Sequence, residues 1–355
     1  MNFEQLLKDS VKENASDIFI MPGLELSLKV GGEIIKADSA MLKPDDTMRI
    51  IKEAYILAGR EPVNLVEKGD DDFSVSVTGL SRFRISAYKQ RGSWAAVIRI
   101  VPFDIPDYKQ FNISEAVMAI SGKTKGLVLV TGPAGGGKST TLACIINRIN
   151  SSRNGHIITL EEPIEYLHRN SKSIISQREV RTDTEGYVPA LRAALRQSPD
   201  VILVGEMRDY ETISTALTAA ETGHLVISTL HSVGAANTVN RIIDVFPSSQ
   251  QQQVRTQLSQ LLQTVVSQKL IPAQDKKGNK LIPAFEIMHC NNAIRNMIRE
   301  NKIHQIDTVI NASSASDGMV GMDLSILKLF ESGQISRENA LAFAEAPELL
   351  ERKLK

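Results

Sequence analysis

Two kinds of hydrophobic spacing divide this chain. In residues 1–101 the apolar positions fall at helical spacing first, at Phe3, Leu6, Leu7 and Val11, and then mostly alternate with polar ones. Ser16–Ile20 reads as extended. Leu24, Leu26, Leu28 and Val30 alternate up to Gly31-Gly32, a hairpin signal that leads into Glu33–Ile35. Pro44-Asp45-Asp46 opens a predicted helix whose acids suit the positive end of its dipole. Three further β-like runs follow, Phe73/Val75/Val77, Phe83/Ile85/Ala87 and Ala95/Val97/Ile98/Ile100. The pattern predicts an antiparallel sheet with a few helices, a small regulatory or ring-building domain.

Pro102 and Pro106 fix two φ angles in a predicted linker, residues 102–112. Beyond it the period changes. Runs that are apolar along their whole length, Leu127–Val130, Ile157–Leu160, Val201–Val204 and Leu225–Ser228, alternate with helix-period segments. Such strands predict a parallel sheet covered on both faces, an α/β core over 113–290. From about Gly234 onward the spacing reads as mostly helical: Ala235–Asp244, Ser248–Leu270, Asn292–Glu300, Met322–Glu331 and Ser336–Ala344, with a hairpin-like excursion at Ala273–Lys280. Residues 291–355 are read as a helical C-terminal region.

Composition narrows the function classes. A chain of 355 residues is long enough for two packed domains, and 42% apolar with 23% charged residues is an ordinary globular balance. Lys plus Arg equals Asp plus Glu at 41 each, so no global field attracts nucleic acid or an anionic membrane, and no nucleic-acid partner is expected. Two distant cysteines, Cys144 and Cys290, exclude a disulfide scaffold and a four-cysteine zinc site, and they suit a reducing compartment. The acidic, amphipathic N-terminus is not a signal peptide. The apolar runs are too short to cross a bilayer, so work at a membrane is expected to go through protein partners.

The strongest chemical signal is Gly132-Pro133-Ala134-Gly135-Gly136-Gly137-Lys138-Ser139, which satisfies G-x-x-x-x-G-K-[ST] between a predicted strand and the helical run from Thr140. Gly132, Gly135 and Gly137 let backbone N–H groups turn toward a phosphate, and the helix N-terminus adds its positive end. Lys138 is expected to reach the β- and γ-phosphates and Ser139 to hold Mg²⁺, with Thr140 completing the ATP contacts. Hydrolysis needs acids as well. Glu161-Glu162-Pro163-Ile164-Glu165 and Gly205-Glu206-Met207-Arg208-Asp209 each follow a predicted parallel strand, at the edge where open α/β sheets bind ligands. His224 and His231 flank Leu225–Ser228 and read equally well as structural residues or as sensors of the γ-phosphate. Arg82, Arg84 and Arg99 alternate with apolar residues, and by pattern alone they are the solvated face of a sheet.

TGPAGGGKSTTL, HIITLEEPIEYLH and DVILVGEMRDYETISTALTAAETGHLVISTLHS together resemble the Walker A, Asp box, Walker B and His box of the ATPases of type II secretion and type IV pili. The likeness extends to the RFRIS run at Arg82–Ser86 and the QREV run at Gln177–Val180. The segment Ala293-Ile294-Arg295-Asn296-Met297-Ile298-Arg299-Glu300 is similar to the C-terminal helix motif of the pilus-retraction branch. Extension and secretion relatives carry a further N-terminal domain and a tetracysteine insert, both expected to be absent here. The resemblance implies an N-terminal PAS-like α+β domain, residues 1–101, a RecA-like core, residues 113–290, and a homohexamer. It assigns Glu165 as general base, Glu206 as the Walker B acid with a share in Mg²⁺, and His224 and His231 as the His-box residues. Arg82, Arg84 and Arg99 become trans contacts to a neighbour's phosphates. It further implies a cytoplasmic ring at the inner membrane, an inner-membrane pilus platform protein (PilC-like) as partner and a paralogous retraction ATPase as a second one.

Some positions depart from that pattern. Ala134 and Gly136 replace Thr and Ser in the P-loop, Glu162 stands where Asp is usual, Ser232 where Thr is usual, and Met297 replaces Leu. None falls on an assigned catalytic group. The alternatives carried alongside pilus retraction are an extension or type II secretion ATPase, an accessory retraction paralogue, a RecA-like nucleic-acid motor and a nonhydrolysing nucleotide-binding regulator.

Overall fold

The computed structural model describes residues 2–101, 105–274, 280–313 and 318–354. They form two compact units, Met1–Asp104 with Ile164–Leu167, and Ile105–Pro163 with His168–Lys355. Residues 102–104 of the expected linker, and residues 275–279 of the expected Ala273–Lys280 excursion, lie outside the described residues.

The first unit runs α1 (Phe3–Lys12), β1 (Ala15–Ile20), β2 (Glu25–Val30), β3 (Glu33–Met41), α2 (Pro44–Leu57), α3 (Val63–Lys68), β4 (Asp70–Val77), β5 (Ser81–Gln90) and β6 (Ser93–Val101). The Asn2 side chain accepts from Glu4 N and starts α1, which buries Phe3, Leu6 and Leu7. The strands form one antiparallel sheet of order β3-β2-β1-β6-β5-β4. Phe83 and Ile85 of β5 and Ala96 and Ile98 of β6 share a core with Ile50, Ile51, Ala54 and Tyr55 of α2. Side chains alternate along a strand, so Arg82, Arg84 and Arg99 fall together on the opposite face.

The second unit continues with α4 (Glu115–Met118), β7 (Gly126–Thr131), α5 (Lys138–Ser152), β8 (His156–Glu161), β9 (Ile174–Glu179), α6 (Tyr187–Ala194), β10 (Val201–Val204), α7 (Tyr210–Glu221), β11 (Leu225–Leu230), α8 (Ala235–Asp244) and α9 (Ser248–Leu261). It ends with β12 (Leu262–Pro272), β13 (Leu281–His289), α10 (Asn292–Arg299), α11 (Ile306–Ala312), α12 (Met322–Glu331), α13 (Arg337–Phe343) and α14 (Pro347–Glu351). The sheet order is β13-β12-β7-β11-β10-β8-β9, parallel throughout except for β13 against β12. Alternation places Leu127 and Leu129 of β7 in a core with α6 to α11, while Val128 and Val130 meet Val117 of α4 and Ile145 and Ile149 of α5. The sheet is therefore covered on both faces, as its apolar strands require.

The expected helix Ser248–Leu270 is a correction. It stops at Leu261, and Leu262–Pro272 is a strand that pairs with β7 on one side and β13 on the other. Val265 and Val266 point to opposite faces and both are fully buried. Burying two such side chains contributes about 3–6 kcal/mol, against a few tenths per residue for helix propensity. Tertiary pairing wins, helped by three consecutive β-branched residues at 264–266. β13 and the edge strand β9 were likewise not expected. Met322 and Ile326 of α12, Ala340 of α13 and Leu350 of α14 pack on Ile271 of β12 and Ile282 of β13, so the last helices share this unit's own core.

Candidate nucleotide site

The loop from β7 to α5 is built around close backbone approach. Gly132 has φ +141°, and a Cβ there would lie 2.2 Å from the Gln268 carbonyl oxygen. Gly137, at φ +80°, is the N-cap of α5, and a Cβ would lie 2.7 Å from Gln268 Nε2. Only glycine fits either position without strain. The turn leaves the first N–H groups of α5 without helical carbonyls, which suits an anion. Lys138 is buried, and its Nζ donates to the carbonyls of Gly132 at 2.9 Å and Pro133 at 2.8 Å. Ser139 and Thr140 follow in the first turn, half-buried.

Gln268 holds this loop from β12. Its Oε1 accepts from Thr141 Oγ1 at 2.7 Å, and its Nε2 donates to the Gly136 carbonyl at 2.7 Å. Both ends of a buried amide are satisfied, one by the helix and one by the loop. Sequence reasoning missed Gln268 because β12 was taken for helix. Its only signal was a polar stretch, Ser267-Gln268-Lys269, between the apolar pairs Val265-Val266 and Leu270-Ile271.

Glu206 follows β10. Its backbone is fixed on both sides: Gly205 N donates to Leu160 O at 2.7 Å, Met207 N to Thr229 O at 3.1 Å, and Thr229 Oγ1 to Gly205 O at 2.6 Å. Glu206 Oε2 lies 2.7 Å from Arg208 Nε and 3.5 Å from His231 Nε2. Arg208 is 71% exposed, so that ion pair is worth about 0–1 kcal/mol and does not by itself fix the carboxylate. The backbone bonds fix the main chain from which that carboxylate extends. A cleft of about 440 Å³ is lined by Glu206, Met207, Arg208, Thr229, His231 and Arg241. Burial first, then the carboxylates of Glu206, Glu162 and Glu161, push the Tyr187 phenol above its ordinary range, and its buried hydroxyl has no hydrogen-bond partner. Acids thus gather at this sheet edge.

The two histidines part company. Leu230 pairs with Thr131 in the β11–β7 ladder, so His231 leaves the sheet at the same edge as the P-loop. His224 precedes β11 and its carbonyl accepts from Gly126 N at the start of β7. A strand of six residues separates it from that edge, about 20 Å. Its ring Nδ1 lies 3.0 Å from Ala219 O and 3.1 Å from Thr222 Oγ1, which fixes the turn after α7. The structure does not bring His224 to the site, because the start and the end of a parallel strand lie at opposite sheet edges.

Glu165 is exposed and lies in Ile164–Leu167, which belongs with the first unit, whereas Glu161 and Glu162 belong to the second. In the first unit Arg84 and Arg99 stand directly opposite across β5–β6, with Arg82 two residues on. Like charges facing across a ladder are unfavourable unless an anion answers them. Asp17, opposite Arg99 on β1, accepts from its Nε at 3.0 Å, and Arg82 Nη1 donates to Ser76 Oγ at 3.1 Å.

Ala293–Glu300 forms α10 and its C-cap, started by Asn291, whose side chain accepts from Ile294 N. Ile294 and Ile298 enter the core, and Met297 packs at its margin. Arg295 donates to the carbonyls of Cys290, Ser259 and Gln260, the last two at the end of α9. It is a C-terminal cap for a neighbouring helix. Arg299 is exposed and donates to Asn296 Oδ1 at 2.5 Å, while Glu300 pairs with Lys302 at 2.7 Å.

The profile of the type II/IV secretion system protein family matches residues 2–321. The type IV pilus retraction ATPase PilT of Pseudomonas aeruginosa is 42% identical over 98% of this chain and 99% of its own. A twitching motility protein of Neisseria gonorrhoeae is 48% identical over 78% of this chain and 73% of its own. The crystal structure of the pilus retraction motor PilT with bound ADP superposes with a TM-score of 0.89 and 42% identity, covering 99% of both chains.

Proposed function

The chain belongs to the type II/IV secretion system protein family, and from that premise we propose that it is an ATP-hydrolysing motor that powers retraction of type IV pili. The observation that carries this reading is the identity with a retraction ATPase along nearly the whole chain, 98% of it. The P-loop supplies the binding half: glycine-permitted backbone amides and Lys138 receive the phosphates of ATP. Glu165 primes the attacking water, Glu206 orients the reacting centre, and His231 senses the terminal phosphate. Arg82, Arg84 and Arg99 reach the phosphates of a neighbouring subunit in a homohexamer, and their gathering on one face of the first unit's sheet supports that use.

One hydroxyl and one carboxylate, Ser139 and Glu206, are a donor set suited to Mg²⁺, which keeps water ligands and binds largely through phosphate. No cluster of three or more His, Cys, Asp or Glu able to hold a metal occurs among the described residues. When bound there, Mg²⁺ would neutralise charge on the phosphate oxygens. No described helix is long and apolar enough to cross a membrane. We place the ring in the cytoplasm, working through an inner-membrane platform protein of the PilC kind and alongside a paralogous ATPase.

Live imaging of pilus length tests the reading. A strain carrying Glu165→Ala is expected to keep its surface pili and to lose retraction. Parental retraction rates in that strain would remove Glu165 from the mechanism. A deletion strain without surface pili would point to extension instead.

A further inference from the structure

Next to the His231 loop lies a group of buried polar side chains. Ser267 and Glu286 pair across β12–β13 and are 0% and 4% exposed. Ser267 Oγ accepts from Gly234 N at 2.9 Å, and Glu286 Oε1 accepts from Ala235 N at 2.6 Å. These two N–H groups open α8, where no helical carbonyl can reach them. Gly234, the N-cap, has no side chain with which to close its own helix. Two strands distant in sequence close it instead. Thr238 Oγ1 donates to Gly234 O at 2.7 Å, and lies 2.8 Å from Ser232 Oγ and 3.4 Å from Thr131 Oγ1, the residue before the P-loop. The segment from Ser232 to Ala235 is thus pinned by bonds that do not involve Glu206.

A buried acid is a costly way to close a helix that a serine could cap at the surface. It makes sense where the position of the loop matters more than the stability of the fold. The bond from Ala235 N–H to Glu286 Oε1, at 2.6 Å, is short and directional. We propose that Glu286, with Ser267 beside it, is the positioning residue of the His231 loop, fixing the start of α8 and through it the imidazole beside Glu206. The inference rests on the reading of His231 as a sensor of the terminal phosphate. Glu286 itself touches no substrate.

Steady-state ATP hydrolysis and the affinity for a fluorescent ADP, both on the full-length protein, separate the possibilities. Glu286→Leu is expected to lower kcat about tenfold or more, the scale of a small misplacement in an active site, with the ADP Kd within about twofold of the parent. Glu286→Gln, which keeps an acceptor for Ala235 N–H, is expected to recover most of kcat. In a His231→Ala background Glu286→Leu should cost nothing further, the signature of two residues acting as one unit. Parental kcat in Glu286→Leu, a glutamine variant no better than leucine, full additivity with His231→Ala, or a Kd that moves with kcat each overturns the proposal. Parental kcat in His231→Ala overturns the reading beneath it too, whereas loss there with none in Glu286→Leu overturns this inference alone. If Glu286→Leu does not fold, Ser267→Ala carries the test: kcat about threefold lower at unchanged Kd supports it, and unchanged kcat overturns it.

Discussion

β7 has two neighbours that do different work. On one side β11 and then β10 end in the groups that face the cleft, an exposed His231 and a half-buried Glu206. On the other side β12 offers no candidate reacting group at that edge. Its Gln268 and Ser267, with Glu286 of β13, are all buried and spend their hydrogen bonds on the P-loop and on the start of α8. One flank presents chemistry and the other holds it in place. The holding flank is mostly neutral amide and hydroxyl, which costs less to bury than charge. A satisfied polar network in a low-dielectric interior is also stiff.

Replacing Lys138 of the P-loop itself, and then Gln268 of the holding flank, puts that division under the largest strain. Lys138→Ala removes the cation proposed to meet the phosphates and is expected to lower ATP hydrolysis by about a hundredfold or more, with the fold intact by circular dichroism. Gln268→Leu removes no charge. It leaves the Thr141 hydroxyl and the Gly136 carbonyl unpaired, at about 1–3 kcal/mol for each buried group stranded. Calorimetric titration should then show ADP binding weakened about tenfold, with a lower Tm. Parental ADP affinity and Tm in Gln268→Leu would mean that β12 is a bystander.

That division also explains what could be read in advance. The P-loop was legible because its requirements are local: glycines where the backbone turns, a lysine and a serine at fixed offsets, a strand before and a helix after. The acids at the ends of β8 and β10 were legible for the same reason. Gln268, Ser267 and Glu286 act on residues 132, 33 and 51 positions away. No spacing rule reaches that far, and the helix expected over Ser248–Leu270 hid two of the three. His224 shows the converse. Adjacency to an apolar strand made it a candidate, but only the direction of that strand decides which sheet edge it occupies. The shared face of Arg82, Arg84 and Arg99 followed from strand alternation, whereas the bond from Arg99 to Asp17 came from a pairing 82 residues apart.

The holding flank carries one titration that the presenting flank does not. Burial above all, reinforced by Glu345 and Asp307 and opposed by Lys269 and the Ala235 N–H, pushes the Glu286 carboxyl up to about 7. The folded chain therefore keeps this proton over a range where the unfolded chain, with an ordinary value of 4.5, has lost it. Its contribution to stability is present below that lower value and disappears as pH rises through about 7. Burial raises Glu345 and Asp307 in the same direction, and they remain in both proteins compared. Glu286→Gln is thus expected to lose less Tm than the parent between about pH 5 and pH 8. Parallel Tm profiles would show that Glu286 is ionised in the fold throughout.

The smallest effect divides a single helix in the same way. On α10, Arg295 is half-buried and gives its hydrogen bonds to three carbonyls, two of them at the end of α9, where a cation also answers the helix dipole. Arg299, one turn on, is exposed and bonds Asn296 within its own helix. The pair distinguishes holding from presenting with the charge kept the same. Arg295→Ala is expected to cost about 1–2 kcal/mol, a drop of several degrees in Tm by scanning calorimetry. Arg299→Ala should stay within about 0.5 kcal/mol, as surface substitutions do. If retraction in cells nevertheless fails in Arg299→Ala while ATP hydrolysis and Tm stay parental, this outward side chain meets another protein, and Arg295 keeps the helix where that meeting can occur. The opposite order of Tm loss would mean that α10 is anchored through its exposed face and that Arg295 is the residue free to engage a partner.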